Sequence, residues 1–275
     1  MIIYKHFFIT EAESWYSPEP VDNGIDLLRC YQLAVRPADE RTVEFKTIWI
    51  DLGQTEEELF AKLRKSTRND IRRASADGAK YDYWTEDPGT QLELFCEFVD
   101  THSVVNYPRR EVWMWTRRHA QNGTLDLSRT MSNDGRTLAW HAYYRDREHA
   151  RLRYSVSLSR ARDASPLRNL VSRAHRYQHW EDIKRFKAGG VLIYDLGGWY
   201  SGTDDEKLLR VNQFKEGFGG RIVTSFHCTR PLTAKGRLYL WSTEMLRKSL
   251  RLVRNCAFAV PSQEVSLPVR PAEPR

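Results

Sequence analysis

The side chains best suited to chemistry in this 275-residue sequence fall into a few small groups. Asp195 ends an apolar run just before Gly197-Gly198. A carboxylate there can hold the turn by accepting backbone hydrogen bonds, or it can orient a substrate group. His141, Asp182 and Asp195 are candidate proton acceptors, although a histidine within a strand is by default a satisfied core residue. His175 and His179 have the four-residue spacing of a metal-binding pair. No third ligand or Glu neighbour completes that pattern in the sequence, so no metal is expected. Arg68 and Arg72, one helical turn apart, can hold phosphates, the alternative being a solvated face. Trp180, Tyr177 and Tyr154 can line a sugar pocket, but in a chain with nine Trp residues large aromatics read first as core.

These groups must be positioned by strands and helices that the hydrophobic pattern outlines. Residues 47–52 read as a buried strand, and Thr55 with Glu58 forms a capping box that opens a helix over 55–75. Leu59, Phe60, Leu63 and Ile71 are its buried stripe, six Lys and Arg between 62 and 73 decorate the remainder, and Gly78 stops it. A strand at 80–84 and helices at 90–104 and 109–121 follow. Ser132-Asn-Asp-Gly135 is a hairpin turn between strands 125–131 and 137–144, and a third strand, 151–158, alternates Leu152, Tyr154, Val156 and Leu158 with polar residues. The three strands form an antiparallel meander. Ser165 and Pro166 open a long helix to 186, residues 191–196 form a buried strand carrying Asp195, and a helix at 204–216 leads to a strand at 221–228. A basic amphipathic helix spans 238–253, and the Pro-rich residues 261–275 are expected to be a disordered tail. In residues 1–45 only irregular strands near 25–28 and 31–35 can be placed.

Composition bounds the function. Hydrophobic residues at 41% and aromatics at 12% can build a core without metals or disulfides, enough for one complete domain and a smaller partner. Forty-three Lys and Arg against 36 Asp and Glu give a formal charge of +7. That balance favours anionic partners such as nucleic acid, nucleotide-linked sugars or phospholipid headgroups, or else describes a plain basic surface. Cys30, Cys96, Cys228 and Cys256 lack paired spacing, which argues against a disulfide framework and a zinc ribbon and fits a reducing compartment. No run approaches the roughly 20 residues of a membrane span and the start is too short for a secretory signal, so a soluble cytoplasmic protein is expected.

From residue 80 the order is strand, two helices, three meandering strands, helix, strand, helix, strand. It resembles the α+β GNAT-like acyltransferase fold, a mixed sheet whose central strands splay apart around an acyl donor, although a generic α+β sandwich shows the same order. Three motifs narrow the choice: Thr-Arg-Asn-Asp-Ile-Arg-Arg-Ala at 67–74, Leu-Ile-Tyr-Asp-Leu-Gly-Gly at 192–198, and Asn-Gln-Phe-Lys-Glu-Gly-Phe-Gly-Gly at 212–220. They resemble the motifs of Fem-type aminoacyltransferases, in that family's order, across roughly residues 47–226.

The resemblance implies that Lys215 lies near the reacting ester and stabilises its oxyanion, with Phe214 shaping the cleft beside it. Fem enzymes carry two acetyltransferase-like halves. Here residues 1–78 would be a truncated N-terminal companion with the basic helix, 79–228 the GNAT-like domain, 229–260 a C-terminal basic helix and 261–275 the tail. Fem enzymes draw on aminoacyl-tRNA, a donor that suits the basic charge. Acyl-CoA enzymes place a Gly-rich loop before the long helix, whereas residues 159–167 contain no glycine and leave Arg160 and Arg162, with Arg168 just after them, as anion holders. The expectation is transfer of an aminoacyl or acyl group to an amine of an anionic cell-envelope glycan, peptide or lipid precursor. The enzyme would use no cofactor beyond its donor and would work in the cytoplasm, where it can lie against the inner face of the membrane. One alternative keeps the fold with acyl-CoA or acyl carrier protein as donor. The other is a non-catalytic nucleic-acid or membrane-surface binder using the basic helices. The sequence names neither the acyl group, the general base nor the oligomeric state.

Overall fold

The computed structural model describes residues 1–17, 24–38, 41–85, 88–103, 108–158 and 165–257, without the side chains of 165 and 246–257. The predicted tail and the loop arginines Arg160 and Arg162 therefore lie outside the described residues. Two compact units emerge.

The first unit comprises Met1–Leu33, Pro37–Thr42 and the chain from Cys228 onward. Strands β1 (Ile2–His6) and β2 (Ile9–Trp15) pair antiparallel, and β3 (Leu27–Leu33) runs parallel to β2. The helix Ala234–Ala257 places Tyr239 and Leu240 against Ile9 and Leu27. The sequence pattern missed β1 and β2 because β2 buries its carboxylates instead of exposing them. Glu11 accepts from Tyr4 and Arg29 and contacts His6, and Glu13 accepts from the Trp15 indole at 2.6 Å. Paired acids inside a strand erase the apolar and polar alternation by which strands are recognised.

The second unit is built mainly of Val43–His227. Its elements are β4 (Thr42–Asp51), α1 (Glu56–Lys62), α2 (Lys65–Ala76), β5 (Lys80–Thr85), α3 (Thr90–His102), α4 (Arg109–Gln121), β6 (Leu125–Met131), β7 (Thr137–Arg145), β8 (His149–Ser157), α5 (Ser165–Ala188), β9 (Ile193–Gly198), α6 (Glu206–Glu216) and β10 (Arg221–Pro231). The strand order is β10-β4-β9-β8-β7-β6-β5. Strands β6 to β8 form the predicted antiparallel meander, β5 pairs antiparallel with β6, β8 and β9 are parallel, and β9 returns antiparallel to β4, giving the mixed sheet of a GNAT-like α+β fold.

The helix predicted over 55–75 is two helices. The Thr55–Glu58 capping box opens α1, but the chain becomes extended at Leu63 and Arg64 before α2 begins. Tertiary contacts make this break without Pro or Gly. Leu63 is buried, the Arg64 amide donates to the Gly217 carbonyl, and the Arg68 guanidinium donates to the carbonyls of Ala61 and Leu63. The last carbonyls of α1 thus find side-chain and backbone partners outside the helix.

The feature that shapes the site is a divergence of parallel neighbours. Strands β8 and β9 pair only from His149–Ile193 to Arg151–Asp195, while β8 stays paired with β7 as far as Ser157. Beyond Asp195, β9 is drawn away. The Asp195 carboxylate accepts the Gly197 amide at 2.7 Å and the Thr47 hydroxyl, and that hydroxyl also lies 2.9 Å from the Gly197 carbonyl oxygen. The β4–β9 register shifts there, and Gly197 adopts φ +76°, where an added Cβ would come within 3.0 Å of the Leu152 carbonyl oxygen. Replacing Gly197 by Ala should therefore destabilise the chain by about 1–3 kcal/mol. Urea unfolding checks this; an unchanged midpoint would show that the turn is not strained.

Candidate active site

A cavity of about 630 Å³ fills the gap between β8 and β9. Arg151, Arg153 and Ser155 face it from β8, Leu196 to Gly198 from β9, and Phe214 and Lys215 from α6. On β8 the alternate residues Leu152, Tyr154 and Val156 are buried, and the intervening Arg151, Arg153 and Ser155 meet the cavity together with Leu152. Arg151, Arg153, Arg210 and Lys215 line the cavity, and no carboxylate is among its described lining residues.

Two of the sequence motifs support the position of Lys215. Asp205 caps α6 by accepting the amides of Lys207 and Leu208. Asn212 clasps the chain leaving β9, accepting the Tyr200 amide at 3.1 Å and donating to its carbonyl at 2.7 Å. At the other end of α6, a Cβ on Gly217 would lie 2.7 Å from the Thr67 hydroxyl, so only glycine lets α6 close onto buried Thr67 of α2. The Lys215 ammonium donates to the Gly198 carbonyl at the point where the strands have parted. Burial lowers its pKa to about 8; Asp195 opposes that shift and Arg151 adds to it. Asp195 itself is fully buried, and its second oxygen faces the Arg151 guanidinium at 3.9 Å.

Behind the cavity lies a cluster the sequence did not assemble. His175 and His179, on the cavity wall, sit on one face of α5, and His141 of β7 lies beside them. The third group that their spacing lacked thus comes from a strand some thirty residues earlier in the chain. His141 Nδ1 is 2.7 Å from Asp182, and its Nε2 is 2.9 Å from His175 Nε2, which is also 2.8 Å from the Ser155 hydroxyl. Asp182 further accepts from Tyr81 at 2.7 Å and Tyr143 at 2.6 Å. Burial, reinforced by His141, holds both His175 and His179 well below the usual histidine range, so both are neutral at ordinary pH.

The predicted site residues separate into two sets. Lys215 and Phe214 share the cavity wall, and Phe214 stacks on His175 with ring centroids 5.0 Å apart. Asp195 takes the first of its two expected roles, that of holding the turn. His141 is wholly buried and reaches the cavity only through His175. The remaining residues lie elsewhere. Arg68 is spent on the carbonyls ending α1, Arg72 lies over the Phe60 ring, and Arg168 is exposed on the first turn of α5. Trp180 packs in the core against Phe60, and Tyr154 packs against Phe95 and Trp115, so neither lines the expected sugar pocket. Arg151, Arg153 and Ser155 were missed; their signal was two cations and a hydroxyl on one face of an interior strand.

No protein-family model matches the sequence, and no curated protein matches it either. Among solved structures, the crystal structure of FemX superposes with a TM-score of 0.57 at 11% identity, covering 74% of this chain and 72% of that one. The C-terminal domain of a putative lysylphosphatidylglycerol synthetase from Agrobacterium fabrum is a looser likeness, with a TM-score of 0.47 at 14% identity over 81% of this chain and 73% of that one. The FemX likeness shows that the chain has a Fem-like GNAT fold, as the motifs predicted.

Because Asp195 raises the Lys215 pKa and burial lowers it, Asp195→Asn should shift that lysine further below about 8. Competitive acylation of Lys215 across pH, read by peptide mass spectrometry, measures the shift. A titration left near the ordinary lysine value of about 10.4 in the unaltered protein would contradict the burial described.

Proposed function

We propose that this chain is an acyltransferase that moves an aminoacyl or acyl group from an activated ester or thioester to an amine in the cavity between β8 and β9. The observation that carries the reading is Lys215. It is a partly desolvated ammonium in the gap left by the diverging strands, held by a helix that Asn212 and Gly217 lock in place.

Attack by an uncharged amine on the donor carbonyl forms a tetrahedral oxyanion. The Lys215 ammonium can donate to that oxygen in a site poorer in water than the surface, where such a contact is strong. Collapse of the intermediate breaks the C–O or C–S bond, and the proton lost by the amine ends on the leaving oxygen or sulfur. Phe214 and Phe45 give the cleft apolar walls for positioning, and Arg151, Arg153 and Arg210 match the phosphates of an anionic substrate. Those cations, together with the Fem-type motifs, support aminoacyl-tRNA as donor and an amine of an anionic cell-envelope precursor as acceptor.

The charge state of Lys215 gives the test a sign. A lysine whose pKa is lowered to about 8 is cationic below that pH and loses its charge above it. Transfer of a labelled amino acid from charged tRNA to envelope lipid and muropeptide amines should fall as pH rises past about 8. Lys215→Ala should cost about 100- to 1000-fold in kcat, and Lys215→Arg should carry the high-pH limb upward. Ribonuclease treatment should abolish transfer; survival of transfer with acyl-CoA alone would replace the donor. A rate indifferent to Lys215→Ala would overturn the reading.

A further inference from the structure

The hydrogen bonds around Asp182 fix more than the shape of the core; they place the histidine protons. A carboxylate oxygen only accepts, so His141 Nδ1, 2.7 Å from Asp182 Oδ2, carries a proton. Tyr143 donates its single proton to the same carboxylate. Its oxygen must then accept from the Tyr194 hydroxyl 2.8 Å away, and the Tyr194 oxygen in turn accepts from His179 Nδ1 at 2.6 Å. Both His141 and His179 therefore carry a proton on Nδ1, which leaves Nε2 as the nitrogen each can offer to a metal ion.

His175 completes the set. Its Nε2 approaches His141 Nε2 to 2.9 Å, a distance at which two imidazole nitrogens need a proton or a metal ion between them. One ring nitrogen from each of the three histidines lies within 4.8 Å of the others. His141 is wholly buried, whereas His175 and His179 border the cavity, His179 with almost no exposed surface. An all-imidazole donor set suits zinc and its transition-metal neighbours and does not suit magnesium or calcium, which take oxygen ligands. The outer contacts are those of ligating histidines, a carboxylate behind His141 and a hydroxyl behind His179, which set the tautomer and aim the ring.

We infer that His141, His175 and His179 hold one divalent transition-metal ion of the zinc class, with a further coordination position open toward the cavity beside Ser155. This goes beyond the transfer chemistry and does not rest on it, because the ion can be measured without any acyl substrate.

The test uses the full chain purified without a polyhistidine tag, its metal content determined by plasma mass spectrometry. After stripping with a chelator, zinc is titrated against a chromophoric competitor and cobalt is followed by its visible absorption. About one ion per chain is expected, with the intense cobalt bands of a low-coordinate nitrogen site. His175→Ala and His179→Ala should each abolish the bands, and Asp182→Asn, which removes the charge behind His141 without removing a ligand, should weaken zinc about 10- to 100-fold. His102→Gln, outside the cluster, should change nothing. The unaltered protein decides the first question even if a variant folds poorly. Failure to bind zinc or cobalt after stripping would mean that a shared proton bridges His141 and His175 and would overturn the inference. Unchanged affinity in folded His175→Ala and His179→Ala would place the ion elsewhere and overturn it equally.

Discussion

The cavity depends on the way the Asp195 carboxylate ends the pairing of β8 and β9. By taking the Gly197 amide and the Thr47 hydroxyl, it turns β9 away from its parallel neighbour while β8 continues against β7. A buried carboxylate is costly unless it is hydrogen-bonded and faces a cation, and here both conditions are met within the turn and by Arg151. The backbone edges that part beyond it are the walls of the cavity. Gly197 and Gly198 serve the same end: a side chain at the first would meet the β8 backbone, and one at the second would touch Phe45.

Electrostatics follow from that opening. Cations gather in the gap, and the acid that made the turn is the one that raises the Lys215 pKa against its burial. The lysine is thereby kept titratable near neutrality, balanced between desolvation and Asp195. Deeper in, Asp182 plays a parallel role, gathering Tyr81, Tyr143 and His141 so that the buried rings have fixed tautomers. Two buried carboxylates thus organise the unit, one shaping the backbone and the other ordering the histidines.

Much of the second unit was legible in the sequence, because the meander, the long helix and the glycine-paired strand carry strong periodic and turn signals. Lys215 and Phe214 were legible only through the likeness of 212–220 to a family motif; spacing alone left them on an amphipathic helix. In the 67–74 motif, Arg68 and Arg72 read as phosphate holders or as a solvated face, and the structure engages Arg68 with the carbonyls that end α1 and sets Arg72 over Phe60. The motif's Thr67 receives Gly217, and its Asp70 pairs with Arg176 at 3.5 Å, so it braces α2 for the site without entering it. Trp180 and Tyr154 were drawn inward because large aromatics gain most from burial. The histidine cluster was out of reach, since a strand residue and a helix pair distant in the chain meet only once the sheet is built. Strands β1 and β2 stayed hidden for the reason that makes them stable, their acids being paired inside.

Whether Lys215 acts on the tetrahedral oxyanion and not on the resting donor is read from the binding of a phosphonate analogue of an aminoacyl ester. Calorimetry on the unaltered chain and on Lys215→Ala should show the phosphonate weakened about 100-fold while the ester-isosteric ground-state amide binds as before. Equal weakening of both ligands, or of neither, would contradict it.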